Sequence, residues 1–147
     1  MQKRSWDTAV SREAADMGGK SKNEAGKNVL IVSSSPVNRI VIARSLERLL
    51  LRSDASAPDQ AISLLDRTNP WLVIVDEQGS ESILEDILHR IAHRKRASQD
   101  RTTPLALMIA RSNEAKAQAS QLFDAVLVRP VTPDVLLPAV ERLTRTA

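Results

Sequence analysis

One stretch of the chain constrains the fold more than any other: residues 71–79 read WLVIVDEQG, an almost uninterrupted apolar run that ends in a carboxylate. Such a run is typical of a strand buried on both faces of a parallel sheet. In these sheets, ligands bind just beyond the carboxyl ends of the strands. The pattern therefore places Asp76 where a functional group is expected, although the same residue could simply begin a polar loop.

Further strands are predicted on both sides of this run. Apolar segments at 29–32, 105–110 and 124–128 have the length and the aliphatic, partly β-branched content of buried strands. The polar segment 52–57 is predicted to form at best a short edge strand. The chain therefore contains material for a sheet of about five strands.

Helical patterns separate the predicted strands. Pro36 follows three serines, and Pro133 lies between Thr132 and Asp134, so both prolines fit the first turn of a helix with a polar N-cap. Pro138 is expected to bend or loosen the last helix. The predicted helices cover 37–51, 58–68, 80–97, 112–122 and the segment from 132 onward. This alternation predicts an α/β fold, a parallel sheet with right-handed crossovers and helices on both faces.

The length and composition are those of one folded domain. The chain has 147 residues, of which 42% are hydrophobic and 27% charged, enough for one core. The core is predicted to be aliphatic, because the aromatic residues are limited to Trp6, Trp71 and Phe123. This scarcity argues against an aromatic platform for bases, and no basic face is concentrated enough for phosphate binding. No nucleic-acid partner is therefore expected.

The first 27 residues differ from the rest in composition. They hold six of the basic and four of the acidic residues, so they carry two of the three net positive charges. Their bulky apolar residues are Trp6, Val10 and Met17, too few to offset the entropy of ordering. We therefore predict a disordered tail over 1–27 and a folded domain over 28–147. A short helix at 8–16 and a role of the tail as a partner-binding arm stay open.

Several kinds of chemistry lack the residues that they need. The absence of cysteine excludes disulfides, thiol catalysis and thiolate metal sites, and it is compatible with the cytoplasm, the expected location. The sequence has no recognisable signal peptide and no apolar stretch of about 18 residues, so neither export nor a membrane partner is expected. A nucleotide-binding loop is not supported, because none of the four glycines follows Val32, where a phosphate would approach the backbone.

Two histidines are the other candidates for chemistry. His89 and His93 lie four residues apart on one predicted helix face, near Glu85 and Asp86, and two imidazoles at this spacing can bind a metal ion. A solvated helix face is the favoured interpretation, because the pair continues into a run of basic residues. Neither histidine is near the predicted strand ends. No catalytic residue and no metal ligand is therefore predicted, and the protein is not expected to be an enzyme.

Several segments together match a known pattern. Residues 28–39, which read NVLIVSSSPVNR, form a strand and a helix entry, and residues 69–76, 103–110 and 124–134 supply three later strands and the last helix entry. In their order, these segments resemble the receiver domain of response regulators in two-component signalling. The resemblance covers about Lys27 to Ala147 and implies a flavodoxin-like five-stranded parallel sheet.

The resemblance also implies a role for Asp76. Receiver domains accept a phosphoryl group on an aspartate at the end of the third strand, from a histidine kinase or a phosphotransfer protein, and Asp76 holds that position. Two acidic residues after the first strand bind Mg²⁺ in that family, but this chain has Ser33 and Ser34 there. Mg²⁺ prefers carboxylates in an octahedral shell. We therefore expect Mg²⁺ to bind weakly if at all, and we expect no other cofactor.

Three more positions depart from the receiver pattern. Ile109 replaces the switch hydroxyl at the end of the fourth strand, and Val126 replaces the aromatic residue of the fifth strand. Arg129 replaces the lysine before the fifth-strand proline, which keeps the charge but changes its shape. We therefore expect the carboxylate of Asp76 to pair with Arg129 rather than with Mg²⁺.

These departures predict a degenerate receiver that keeps the fold but lacks efficient Mg²⁺-dependent phosphorylation. It is expected to act by binding another signalling protein, such as a histidine kinase, a phosphotransfer protein or another regulator. The alternative is a working phosphorelay receiver that accepts a phosphoryl group on Asp76. Association of two copies into a homodimer also stays open.

The resemblance to receivers implies that the partner-binding surface involves the first helix or the face formed by the last two strand and helix units. Four of its apolar residues are predicted to face the core: Ile42, Leu46, Leu49 and Leu50. Four more add apolar area that could mark an interface: Val37, Ile40, Val41 and Leu51. The competing interpretation is a helix that neighbouring elements wrap on both sides.

Overall fold

The computed structural model describes residues 27–76, 81–99 and 103–146. The predicted tail, apart from Lys27, and the short helix considered at 8–16 lie outside this part of the chain.

Five strands of the described chain form one parallel sheet, in the order β2-β1-β3-β4-β5. They are β1 (Asn28–Val32), β2 (Arg52–Ser56), β3 (Leu72–Asp76), β4 (Leu105–Ala110) and β5 (Ala125–Val128). This is the flavodoxin-like order, in which the winding reverses between β1 and β3 and opens a crevice at their carboxyl ends. The predicted fold class is confirmed, and the polar strand β2 lies at an edge as expected.

The connecting segments are helical, as the alternating pattern predicts. The helices are α1 (Pro36–Glu47), α2 (Ala61–Thr68), α3 (Glu81–Ala97), α4 (Asn113–Ala119) and α5 (Pro133–Thr146), with a 3₁₀ turn at Pro58–Gln60 before α2. Within the described ranges, no helix combines the length and the apolar composition that crossing a lipid bilayer requires.

Apolar side chains form a core layer on each face of the sheet. Successive residues of β1, β3 and β4 alternate between the two layers, as the pleat of a strand requires. The first layer packs under α1 and α5, and the second under α2, α3 and α4. All five residues of β3 are buried, so that even Asp76 is only 3% exposed. The central strand therefore carries a charged group into the interior.

Helix α1 is shorter than the sequence pattern predicts. It ends at Glu47 instead of Leu51, and the chain turns through i→i+3 hydrogen bonds such as that from the Leu50 N–H to the Glu47 carbonyl. Leu50 has a φ of 59°, and the Leu51 N–H returns to the carbonyl of Leu46. As a result Leu50 is 92% exposed, whereas Leu51 packs against the core. The predicted core position of Leu50 and surface position of Leu51 are therefore wrong.

Helix α4 is also shorter than the pattern predicts, whereas α5 begins where the pattern predicts. Helix α4 stops at Ala119 rather than at Leu122, and the hydroxyl of Ser112 caps its start by accepting the Ala115 N–H. Helix α5 begins at the predicted proline and continues through Pro138, so the bend expected at that residue stays a prediction.

The conformation of Leu50 generates a first prediction. A β-carbon is unfavourable in the left-handed region, whereas glycine tolerates it, and the exposed Leu50 side chain loses little burial when it is removed. We expect Leu50→Gly to raise the free energy of unfolding in urea by about 0.5 to 1 kcal/mol. Leu122→Gly is the control, because Leu122 is also exposed but has no positive φ. A loss of stability in Leu50→Gly would contradict the strain argument.

Candidate functional site

The carboxyl ends of β1 and β3 and the chain just beyond β5 meet around the side chain of Asp76. The register pairs Val32 with Val75 and Asp76 with Ile109, so the residues that follow β1 lie beside the end of β3. Arg129 follows β5 directly, and its N–H bonds to the carbonyl of Ala110 at the end of β4. The predicted site residues at these strand ends are therefore neighbours in space.

The first strand end and helix α1 supply the hydrogen bonds to one carboxylate oxygen. The hydroxyl of Ser33 donates to Oδ2 of Asp76 at 2.8 Å, and Nδ2 of Asn38 donates to the same oxygen at 2.9 Å. Ser35 caps α1 by accepting the N–H of Asn38 on its hydroxyl, which fixes the first turn of the helix. This turn positions Asn38 toward the strand ends.

The other carboxylate oxygen is bound by Arg129. Its Nε and Nη2 donate to Oδ1 of Asp76 at 3.1 Å and 2.5 Å. Both groups are charged, so these are charge-assisted hydrogen bonds, the stronger class in proteins. The predicted contact between Asp76 and Arg129 is present in the structure.

Because Asp76 is buried, its carboxylate needs a nearby cation and hydrogen-bond donors. Its side chain is 1% exposed and that of Arg129 is 28% exposed, so the pair is largely removed from water. A buried carboxylate without a cation and without hydrogen bonds would be costly, and four donors meet it here. The site therefore balances the charge of Asp76 with side chains of this chain.

Two predicted positions carry apolar side chains, on opposite faces of the sheet. Ile109 is 3% exposed and lies directly opposite Asp76 in the register of β3 and β4. Val126 is half-buried on β5, paired with Met108, and packs against the second core layer. Neither side chain can donate or accept a hydrogen bond. Ile109 therefore makes the wall beside the carboxylate apolar, whereas Val126 lies on the other face of the sheet.

The residues present do not fit a magnesium site of the receiver type. Ser33 uses its hydroxyl as a donor to Asp76, and Ser34 is exposed. Mg²⁺ is usually held by one or two carboxylates and several waters, whereas the one carboxylate here already accepts four hydrogen bonds. Across residues 27–76, 81–99 and 103–146, no three acidic, histidine or cysteine residues lie close enough to hold a metal ion.

A cavity of about 470 Å³ opens over the Asp76 side chain, and we call it the Asp76 cavity. Its walls are partly polar and partly apolar. The lining residues are Asn38, Val41, Ile42, Asp76, Ile109, Arg129, Pro130 and Val131. The volume falls in the range of small ligand sites. The cavity connects the carboxylate to the surface of α1.

Two residues of the site escaped the sequence-based prediction. The sequence pattern places Asn38 only in the helix entry, yet its Nδ2 donates to Asp76, and Arg39 donates from Nη1 to the carbonyl of Ser33 at 2.5 Å. Their position in the sequence could have identified them, because the first turn of a helix that directly follows a strand faces the strand ends. Two polar side chains in that turn were therefore candidates for the site.

Neither of the two histidines lines the Asp76 cavity. His89 and His93 are exposed on α3, together with Glu85 and Asp86. This is the solvated helix face that the sequence pattern favours.

Comparison with solved structures identifies the same architecture in receiver domains. A response regulator protein from Burkholderia multivorans is 21% identical, with 80% of this chain and 94% of that chain covered and a TM-score of 0.61. The chemotaxis response regulator CheY4 of Vibrio cholerae is 18% identical, with 80% and 98% covered and a TM-score of 0.65. The receiver domain of a putative Luxo repressor protein from Vibrio parahaemolyticus is 21% identical, with 81% and 91% covered and a TM-score of 0.64.

These comparisons concern the fold. No protein-family model matches the chain, and no curated protein matches it. At the identities found, the likeness shows that the chain has the fold of response-regulator receiver domains. The resemblance stated from the sequence is confirmed at this level, and the degenerate character of the site stays a prediction.

The contact between Asp76 and Arg129 generates a second prediction. Arg129→Met should lower the free energy of unfolding by about 2 to 3 kcal/mol, because it leaves a buried carboxylate without its cation. Asp76→Asn, added to Arg129→Met, should recover a large part of that loss, since a neutral amide needs no cation and still offers an oxygen to Ser33 and Asn38. Urea unfolding of the four proteins in this double-mutant cycle measures the coupling. Additive effects of the two substitutions would contradict it.

Proposed function

We propose that this protein is a signalling protein of the receiver type that acts by binding another protein, without efficient Mg²⁺-dependent phosphorylation of Asp76. The observation that supports the proposal most strongly is that both oxygens of the Asp76 carboxylate already accept hydrogen bonds from side chains of this protein. Arg129 and two neutral donors already bind both oxygens. A phosphoryl group or a magnesium ion would have to displace these contacts.

The electrostatics of the site support the same proposal. Attack of the carboxylate on a phosphodonor needs a free oxygen and a cation that neutralises the developing charge. Arg129 supplies one positive charge, but its two donors hold Oδ1 in place. Ile109 offers no hydrogen bond to a phosphoryl oxygen. The alternative function, a working phosphorelay receiver, requires Asp76 to react in spite of these contacts.

An apolar patch on α1 supports the protein-binding role. Val37 is 67% exposed, Ile40 is 58% exposed and Val41 is 44% exposed, and we call these residues the α1 patch. At spacings of three and four residues they lie on one face of the helix. Val41 also lines the Asp76 cavity. None of the described elements covers these three side chains, which argues against the interpretation that neighbours wrap α1 on both sides.

The partner classes follow from this role. A histidine kinase, a phosphotransfer protein or another regulator of a two-component pathway is the proposed partner, and the proposed location is the cytoplasm. We propose a binding module and not an enzyme.

A third prediction tests the metal and phosphoryl chemistry. The unmodified protein should show no measurable Mg²⁺ binding in calorimetry and no mass increase of a phosphoryl group after treatment with acetyl phosphate and Mg²⁺. The double variant Ser33→Asp and Ser34→Asp should bind Mg²⁺, because it places three carboxylates together.

Strong Mg²⁺ binding or stoichiometric phosphorylation of the unmodified protein would overturn the proposal in favour of the phosphorelay alternative. Failure of the double variant to bind Mg²⁺ would show that the positions after β1 do not correspond to the acidic pair of receivers.

A fourth prediction tests the α1 patch. Val37→Asp and Val41→Asp together should abolish binding to the partner, measured against a panel of purified histidine kinases and phosphotransfer proteins from the same organism. Leu122→Asp is the matched control, because Leu122 is equally apolar and 65% exposed but lies after α4. All variants should unfold within about 1 kcal/mol of the unmodified protein, since exposed positions contribute little to stability. Unchanged binding by the α1 variant would contradict this role of the patch.

A further inference from the structure

The edge strand β2 presents backbone groups that no other described strand uses. Among the described residues, β2 pairs with β1 alone. The Ser33 N–H donates to the carbonyl of Ser56, so Ser56 directs its backbone groups toward β1. Because these directions alternate along a strand, Asp54 and Arg52 also face β1, whereas Ser53 and Ala55 direct their N–H and C=O groups outward. The free edge therefore offers hydrogen bonds at Ser53 and Ala55.

The side chains along this edge carry one charge of each sign. Arg52 and Asp54 are exposed, and neither takes part in an ion pair within the described chain. Two residues apart on a strand, they lie on the same face of the sheet. A short charged edge usually discourages pairing with other chains. Here, however, the two opposite charges allow the edges of two copies of the protein to pair with each other.

The complementarity depends on the register of an antiparallel pair. Consider two antiparallel β2 strands in which the two Ser53 residues lie opposite each other. Each Arg52 then lies opposite Asp54 of the other copy. The outward backbone groups of the two serines then face each other, as a hydrogen-bonded pair requires. The Arg52 and Asp54 positions become non-hydrogen-bonded pairs, in which side chains approach most closely.

Shifting the two strands to a pairing centred on position 52 or 54 also brings outward backbone groups opposite each other, but these two pairings are unfavourable. A pair centred on position 52 places Arg52 opposite Arg52 of the second copy. A pair centred on position 54 places Asp54 opposite Asp54. Like charges directly opposite each other destabilise a sheet, so the charges select the register centred on Ser53.

We propose that two copies of this protein associate through antiparallel pairing of their β2 strands, centred on Ser53, into one continuous sheet. The proposal is independent of the chemistry at Asp76. Leu50, 92% exposed just before β2, lies beside the new pair and adds apolar area to it. Pairing of two short strands buries less than the roughly 1,000 Å² of a stable interface, so the dimer is weak and concentration-dependent.

Sedimentation equilibrium of the full chain over a wide concentration range tests the proposal. The unmodified protein should associate reversibly to a dimer. Arg52→Asp places like charges at both cross-strand pairs, and Asp54→Arg does the same with the opposite sign, so each should raise the dimer dissociation constant about tenfold or more. The variant that carries both substitutions restores two opposite-charge pairs and should associate about as well as the unmodified protein.

Mixing the two single variants gives the sharpest outcome. Arg52→Asp presents two acidic positions and Asp54→Arg presents two basic ones, so each should remain monomeric alone while the mixture forms a heterodimer. Arg145→Asp is a control for nonspecific charge effects, because Arg145 is exposed on α5, which packs against β5 at the opposite edge of the sheet. A monomer at every concentration, or a dimer that the single substitutions leave unchanged, would overturn the proposal. A mixture that stays monomeric would overturn the register.

Discussion

The structure depends on how the charge of Asp76 is balanced at the carboxyl end of a parallel sheet. The central strand carries this carboxylate into a position that is almost without solvent contact, where a lone negative charge is unfavourable. Two solutions exist for such a position: more carboxylates with a bound divalent cation, or one cationic side chain. This chain has serines after β1 and an arginine after β5, and the guanidinium of Arg129 contacts the carboxylate directly. The contact joins the ends of two strands that are not adjacent in the sheet.

This balance bears on whether the site can act as a switch. A switch needs a ligand or a modification that interacts differently with two conformations of the protein. Ile109, opposite Asp76, has no hydrogen-bonding group, and Val126 on β5 has no ring to reorient, so these two positions offer few contacts that phosphorylation could change. Under the proposed function, the surface that includes the α1 patch is presented constitutively, and regulation lies in the availability of the partner.

The sequence was sufficient to predict the parts of the structure that depend on strong patterns. The apolar run before Asp76 and the alternation of strands and helices predicted the sheet. The cap and proline signals near Ser35 and Pro133 predicted where α1 and α5 begin. The contact of Asp76 with Arg129 followed from their common position at carboxyl strand ends, together with the resemblance to receivers.

The features that the sequence did not predict depend on the conformation of single residues. Helix propensity is nearly uniform from Arg44 to Leu51, so no local signal marks the turn after Glu47 or the left-handed backbone of Leu50. That turn moved Leu50 from the predicted core to the surface and Leu51 in the opposite direction. The role of Asn38 depends on the side-chain direction within one helical turn, which an apolar pattern does not contain.

The central claim is that Arg129, and not a metal ion, holds the carboxylate of Asp76. Nuclear magnetic resonance of the Arg129 Nε–H group tests it most directly, because this proton lies in the contact itself. We expect a resolved, slowly exchanging Nε–H signal that disappears in Asp76→Ala and does not shift when millimolar Mg²⁺ is added. A signal that moves or exchanges rapidly as Mg²⁺ is titrated would show that the cation displaces Arg129 and would contradict the account.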